Sequence, residues 1–396
     1  MIAMHDSLIR SDFTVQSHGA PEIIPVGQLY FPSNEEYDDM MRGIFERQYY
    51  TNHGVLARSF EDQLEGFLGV RHAIVVANAT LGLMMIIRAL DLEGEIVVPS
   101  FTFAATAQAV IWAGCTPVFA DIDPETHHLT ASTVEAVLTE RTTAVIGVNL
   151  WGDTAPVDEL QHLATSHGLK LLFDSAQAFG CSYHEQFIGN FGDAEVFSFH
   201  ATKILSSAEG GCVTTNDDAL AMKLRNIRSS YGSRVPVEVP LTSNARFSEA
   251  QAALGIWSLT HFEQHRERNQ ELRRAYEQML IEIEGISLHP ISSAMSSNYQ
   301  YLTCEVDAEV FGISRDELLD HLLKQGIIAR RYFYPGLHRI ASLTGAQDVS
   351  RELPGTDALV ERVLQLPLGA LVDVEALNLI YQGLLDAKSV SLKVMR

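Results

Sequence analysis

The sequence predicts an α/β fold: a large domain with a mainly parallel seven-stranded sheet flanked by helices, then a smaller α+β domain at the C-terminal end. Length is the first ground, because 396 residues are too many for one ordinary core and suit two domains of unequal size. Composition is the second: 46% apolar and 20% charged residues describe a chain that buries its apolar side chains. The third is an alternation of short apolar runs with helical stretches, which means parallel strands covered by helices on both faces.

Taken in order, residues 1–34 read as a polar arm with Pro21, Pro25 and Pro32 and weak periodicity. A helix is expected from Glu35, ending before Tyr49. Strand-length runs follow at His72–Ala77, Glu95–Val98, Pro117–Ala120, Thr143–Val148 and Leu171–Phe173. Ala194–Phe199 and Gly211–Thr215 extend the same sheet. Between the runs lie helical stretches such as Leu81–Leu90, Ala104–Ala113 and Ala155–His167. Near residue 250 the pattern changes. Ser248 with Gln251 forms a capping-box signature, and Ala250, Ala253, Leu254 and Trp257 recur at helical spacing. The charged stretch Glu263–Gln278 is expected to be one solvated helix face, and from about Ile283 strand and helix signals come in no strict order. The large domain is therefore placed at 35–260 and the small one at 261–396.

The balance of 28 basic and 50 acidic residues gives a net charge of −22. That is unsuited to nucleic acid or an anionic membrane, both of which attract basic surfaces. A small anionic ligand in a pocket of N–H groups is compatible with it. Cys115, Cys181, Cys212 and Cys304 sit far apart with no paired spacing and read as reduced, buried thiols. The start, MIAMHDSLIRSDF, lacks the apolar core of a signal peptide, and the longest apolar stretch, Ala73 to Leu90, carries Asn78, Thr80, Gly82 and Arg88. A cytoplasmic chain without a membrane span is expected.

Glycine-rich dinucleotide and phosphate loops, the Gly-x-Ser-x-Gly elbow and His-Glu-x-x-His are absent, and no metal site is expected. In an open parallel sheet ligands lie beyond the carboxyl ends of the strands, so the residues after each strand are the candidates. Asn78-Ala79-Thr80 follows the first run and leads into a helix, whose free N–H groups make an anion site; plain capping by Asn78 is the alternative. Asp174 follows the fifth run, ahead of Ser175-Ala176-Gln177. A carboxylate there is costly to bury unless it meets a cation, although a turn or N-cap Asp fits the spacing too. Lys203, one of only six lysines, stands behind the run ending at Phe199 and ahead of Ser206–Gly211. Desolvation would lower its pKa into nucleophilic range, against the alternative of a surface lysine at a strand end. Phe103 lies just past the second run, placed either to stack on a flat ring or to pack in the core. An anion cradle, a buried Asp, a flat aromatic and a nucleophilic Lys after four strands of one sheet are together what pyridoxal 5′-phosphate (PLP) requires.

These motifs make the chain resemble the sugar-nucleotide aminotransferases of the DegT family, which have the aspartate-aminotransferase-like fold, PLP-dependent transferase fold type I. The matching pieces, from about Tyr50 to about Pro367, are TNHGVLARSFEDQLEGFLGVRHAIVVANAT, VPSFTFAATAQAVIWAGCTPVFADIDPET, FDSAQAFG, FSFHATK, EGGCVTTND and NARFSEAQAALG. The resemblance implies that Lys203 joins the cofactor covalently, Asp174 pairs with its pyridine nitrogen, Gln177 contacts its 3′-hydroxyl and Phe103 stacks on its ring. It puts the phosphate against Ala79, Thr80 and Ser198. Asn244 resembles the residue that reaches the phosphate from the neighbouring subunit, which implies a homodimer with shared sites. Many relatives have Ser-Gly-Thr where this chain has Asn78-Ala79-Thr80, and His where Gln177 stands; the N–H donors survive in both cases.

The resemblance further implies that L-glutamate gives its amino group, by way of pyridoxamine phosphate, to a keto-sugar nucleotide. FSFHATK…EGG with ARRYFYPGLH is similar to members acting at C4 of dTDP-4-keto-6-deoxyglucose, giving dTDP-4-amino-4,6-dideoxyglucose. Arg330, Arg331, Tyr332 and Tyr334 are candidates for the nucleotide diphosphate, since arginine suits bidentate phosphate contact; a structural segment of the small domain is the other reading. The rivals are a C3 aminotransferase, an enzyme using a GDP- or UDP-linked sugar, and a non-catalytic PLP-fold binding or regulatory protein. PLP-dependent sugar dehydratases have His in place of the lysine, and Lys203 argues against them. A nicotinamide dehydrogenase lacks its glycine fingerprint here.

Overall fold

All seven apolar runs become strands of one sheet. They are β1 His72–Val76, β2 Glu95–Pro99, β3 Thr116–Ala120, β4 Thr142–Val148 and β5 Lys170–Asp174, followed by β8 Ala194–Ser198 and β9 Gly211–Thr215. The short pair β6 Ser182–Tyr183 and β7 Gln186–Phe187 lies between β5 and β8 in sequence. The structure is a computed structural model that describes residues 23–27, 30–229, 235–344 and 352–394. Most of the predicted arm therefore lies outside the described residues.

The strand order is β1-β9-β8-β5-β4-β2-β3. Every pairing from β8 to β3 is parallel, and β9 runs antiparallel to both of its neighbours. Residues 199–210 between β8 and β9 form no helix, and β9 turns back beside β8. Helices Ala79–Ala89, Ala104–Trp112 and Val157–His167 lie between β1 and β2, β2 and β3, and β4 and β5, whereas residues 175–193 join the parallel neighbours β5 and β8 through the short pair β6–β7 with no helix. Ile96, Val98, Ile146, Leu172 and Val196 are buried on one face of the sheet, and Val97, Val145, Leu171 and Phe173 on the other. Two-sided burial explains why these runs are continuously apolar and do not alternate.

A second, antiparallel sheet has the order β10-β12-β13, from β10 Ile286–Leu288, β12 Leu302–Val306 and β13 Val363–Leu366; β11 Met295–Ser296 pairs with β6. Leu302, Cys304, Val306, Leu364 and Leu366 pack against Leu318, Leu322, Ile380 and Leu384 of the helices Arg315–Lys324 and Val374–Val394. The helix Phe262–Leu280 joins the two cores. Phe262 packs with Phe60 and Phe179 in the first, whereas Leu272, Tyr276 and Leu280 lie in the second, so the charged stretch carries a buried stripe behind its solvated face. From the arm, Ile24 bonds through its backbone to Gly326 and Ile328 at 2.9 Å each. All four cysteines are buried free thiols.

One helix is capped from far away. Val55–Leu68 begins after Gly54, which has no side chain to offer its amides. Glu249 supplies the acceptors instead: its two carboxylate oxygens take the N–H groups of Leu56 and Ala57 at 3.0 Å each. A Cβ on residue 54 would stand 2.3 Å from the Glu249 Cδ, so glycine is required there. Replacing Glu249 by Ala leaves two amides without their acceptor. A loss of about 1–3 kcal/mol of stability is expected, read as a lower urea midpoint. An unchanged midpoint would remove the residue from this role.

Candidate active site

β5 and β8 are parallel neighbours, so their carboxyl ends bring Asp174 and the loop carrying Lys203 to the same edge of the sheet. Asp174 is 7% exposed. Its carboxylate accepts the Thr106 hydroxyl at 2.7 Å and the Ala176 amide at 3.2 Å. Burial pushes its pKa up, while those two hydrogen bonds and the Lys203 cation pull it back. Lys203 Nζ donates to the Tyr301 hydroxyl at 2.7 Å. The lysine loop is held by Gln300, whose side-chain oxygen accepts the Ile204 amide at 2.9 Å.

The predicted anion cradle is a helix start. Asn78 caps Ala79–Ala89 by accepting the Leu81 amide at 2.9 Å, and the amides of Ala79 and Thr80 have no partner within the helix by geometry. Capping and anion binding are therefore compatible uses of one segment. Gly211 passes under this helix start, paired with Val76 on one side and Ser198 on the other. A Cβ on residue 211 would stand 2.8 Å from the Ala79 nitrogen and 2.7 Å from the Phe197 carbonyl oxygen. Glycine at 211 lets β9 pack directly against the helix start, whose free amides are the donors a phosphate would take. Phe103, at the N-terminus of Ala104–Trp112, is 59% exposed and free of the core, as a ring-stacking residue must be. Asn244 is exposed as well, beside β1 through the backbone bond from Ala77 to Ala245.

Gln177 is tied down at both ends. Its side-chain oxygen accepts the Trp151 backbone N–H at 3.0 Å, and its carbonyl accepts from Asn298 Nδ2 at 3.0 Å. Asn298 is fully buried, also donates to the Phe179 carbonyl, and accepts the Gln300 amide. The 298–301 segment thus fastens the Gln177 turn through Asn298 and the lysine loop through Gln300 and Tyr301. Trp151 has φ +61°, a conformation that non-glycine residues rarely adopt, and packs edge-on against Tyr301 at 5.8 Å. Trp151, Asn298, Gln300, Tyr301 and Thr106 were not predicted. Each is remote in sequence from what it touches and carries no local signature.

The arginine-rich run divides. Arg331 pairs with Asp316 at 2.8 Å and stacks on Tyr334, both at the exposed surface. Arg330 donates to the Tyr332 hydroxyl at 3.0 Å, and Tyr332 packs near Trp151. Tyr332 therefore packs beside Trp151, while Arg331 and Tyr334 lie at the surface.

A lysine amine, a buried carboxyl and an open helix start over the carboxyl ends of a mainly parallel sheet define a PLP-dependent aminotransferase of fold type I. The chain belongs to the DegT/DnrJ/EryC1/StrS aminotransferase family, which matches residues 33–384. It is 30% identical to dTDP-4-amino-4,6-dideoxy-D-glucose transaminase of Shigella dysenteriae over 364 residues, 92% of this chain and 98% of that one. It is 33% identical to a UDP-N-acetyl-3-dehydro-alpha-D-glucosamine 3-aminotransferase of Acidithiobacillus ferrooxidans, covering 80% and 84% of the two chains. The crystal structure of DesI with its TDP-sugar product superposes with a TM-score of 0.88 at 37% identity, over 96% of this chain and 98% of that one. The protein is a sugar-nucleotide aminotransferase whose cofactor is PLP.

Beneath Asp174 lies a buried polar line. Asn149 Nδ2 donates to Ser175 Oγ at 2.8 Å, and Ser175 Oγ donates to Glu195, which also accepts the amides of Gly189 and Phe191 at 2.8 Å. Burial pushes Glu195 from 4.5 up to about 7, against the pull of these hydrogen bonds. Because the folded pKa lies above the unfolded one, the stability of the protonated group is full below about 4.5 and is lost as pH rises to about 7. Glu195→Gln is expected to flatten this window by on the order of 3 kcal/mol, measured as the difference between parent and variant urea midpoints across pH. Parallel curves would contradict it.

Proposed function

We propose that the protein moves an amino group from L-glutamate to C4 of dTDP-4-keto-6-deoxyglucose, giving dTDP-4-amino-4,6-dideoxyglucose. The observation that carries the chemistry is the meeting of Lys203 and Asp174 at the ends of adjacent strands. The choice of sugar is supported by the transaminases of that name in Shigella dysenteriae and Escherichia coli, 30% and 29% identical, and by the likeness to DesI, which was solved with a TDP-sugar product.

PLP, when bound, supplies an electron sink for the charge left at the donor's Cα. Lys203 serves first as the attachment point and then as the base and acid that moves the Cα proton. Tyr301, accepting its N–H at 2.7 Å, holds that amine in place. Asp174 keeps a proton on the ring nitrogen, the preorganised charge that makes the sink effective. Gln177 has its oxygen occupied by Trp151, which leaves its amide N–H groups for the 3′-oxygen. Phe103 covers the ring, Ala79, Thr80 and Ser198 hold the phosphate, and Asn244 reaches the phosphate of a second copy in a cytoplasmic homodimer. Tyr332, braced by Arg330, is offered to the nucleotide sugar.

L-glutamate is expected to bleach the PLP absorbance of the loaded protein and dTDP-4-keto-6-deoxyglucose to restore it. Restoration only by a UDP- or GDP-linked keto sugar would move the assignment to the rival class, which includes the Acidithiobacillus relative. Lys203→Ala should lower turnover about 10³-fold or more, and multiple turnover at the parent rate would contradict the role given to the lysine. Asp174→Asn should retain the cofactor and lose most of the rate. Sedimentation should give a dimer, and Asn244→Ala should weaken PLP binding without dissociating it; a monomer with full PLP affinity would refute the shared site.

A further inference from the structure

Behind Trp151 runs a line of hydrogen bonds that the proposed chemistry does not use. The indole Nε1–H donates to His127 Nδ1 at 3.1 Å, and His127 Nε2 faces Glu305 Oε1 at 3.1 Å. An indole nitrogen is a donor only, so Nδ1 must be the acceptor; the ring proton is then on Nε2 and points at Glu305. The second oxygen of Glu305 meets Arg362 at 2.9 Å. Burial pushes Glu305 up, but the His127 hydrogen bond and the Arg362 cation outweigh it and hold the carboxyl below its ordinary range. His127 is 0% exposed, with the His289 ring stacked on it at 4.0 Å and the edge of Phe101 at 5.8 Å.

The ligand atoms of His127, His289 and Glu305 lie within 4.8 Å of one another, close enough for a cation. The indole bond argues for another use. With Nδ1 accepting from Trp151 and Nε2 protonated, His127 has no lone pair left to give a metal. What the arrangement does fix is the indole, and with it the Trp151 segment. The backbone N–H of Trp151 holds Gln177 Oε1 at 3.0 Å, and its ring packs against Tyr301, the residue that accepts from Lys203. The other end of the line belongs to the second sheet, with Glu305 on β12 and Arg362 one residue before β13.

We infer that His127 is a positioning residue for the active site: anchored by Glu305 and Arg362, it fixes the Trp151 indole and so places Gln177 and Tyr301 for the cofactor. Through it, the seating of the antiparallel sheet against the large one sets the geometry around Lys203. The inference rests on the reading that PLP meets Gln177 and Lys203.

The test uses the full-length protein without cofactor, with its three tryptophans carrying ¹⁵N in the indole. Trp151→Phe identifies the Trp151 indole signal in the proton–nitrogen spectrum. His127→Phe should move that signal upfield. PLP added to the same protein should bind roughly 5- to 10-fold more weakly than to the parent, the scale of one lost hydrogen bond. His127→Gln, whose side-chain oxygen accepts an N–H, should recover most of both effects, and Glu305→Gln should give an intermediate shift. Should the Phe variant not fold, the Gln variants carry the test, since Glu305→Gln keeps the shape and weakens only the anchor. An indole signal and a PLP affinity that stay at parent values in His127→Phe, or in Glu305→Gln where that variant alone is folded, overturn the inference. Failure of the parent itself to bind PLP overturns the site reading instead.

Discussion

The need to bury one carboxyl group, Asp174, at the end of a central strand organises the large domain. A carboxylate so placed is unfavourable unless hydrogen bonds and a cation surround it. They come from three directions: the Thr106 hydroxyl from the helix after β2, the Ala176 amide from its own turn, and Lys203 from the loop after β8. The strand order makes this possible by setting β8 directly beside β5. The helix-free connection that carries Lys203 also leads into β9, which runs antiparallel to β8. A second buried carboxyl, Glu195, lies one layer lower and is satisfied through Ser175, the neighbour of Asp174.

The two sheets are joined by polar contacts as well as by apolar packing. Asn298, Gln300 and Tyr301 lead directly into β12 and reach Gln177, the lysine loop and the lysine itself. Asp121, after β3, accepts the Gly355 and Thr356 amides at 2.8 and 2.7 Å and so caps the helix Pro354–Val360. Such contacts act over short distances and are directional, so they fix the orientation of the smaller sheet more narrowly than apolar packing alone.

The sequence made visible those parts of the site that obey a local rule. A strand of continuous apolar residues followed at once by Asp174, Lys203 or Asn78-Ala79-Thr80 can be read along the chain, because the carboxyl end of a parallel strand is where a ligand sits. The helix start at Ser248 was equally plain, since a capping box spans only four residues. Tyr301 and Asn298 were not legible, because each meets its partner across about a hundred residues of chain. Nor was the fate of Arg331. An arginine beside tyrosines gives no local sign that Asp316, one helix earlier, pairs with it. The antiparallel course of β9 was not legible either, because a linker without helix periodicity gives no direction of its own: the helix-free linkers 175–193 and 199–210 lead to a parallel and an antiparallel neighbour respectively.

The cap that Glu249 places on Val55–Leu68 has a consequence for synthesis. The ribosome releases the helix almost two hundred residues before the carboxylate that closes its first turn. During that interval the Phe60 and Leu64 side chains, fully buried at the end, lack the neighbour helix Glu249–Thr260 that covers them. The nascent N-terminal half thus carries an open helix end and an uncovered apolar stripe until two-thirds of the protein has been made. Its vectorial folding therefore waits on residue 249, and the intervening stage is one that chaperones are suited to shield.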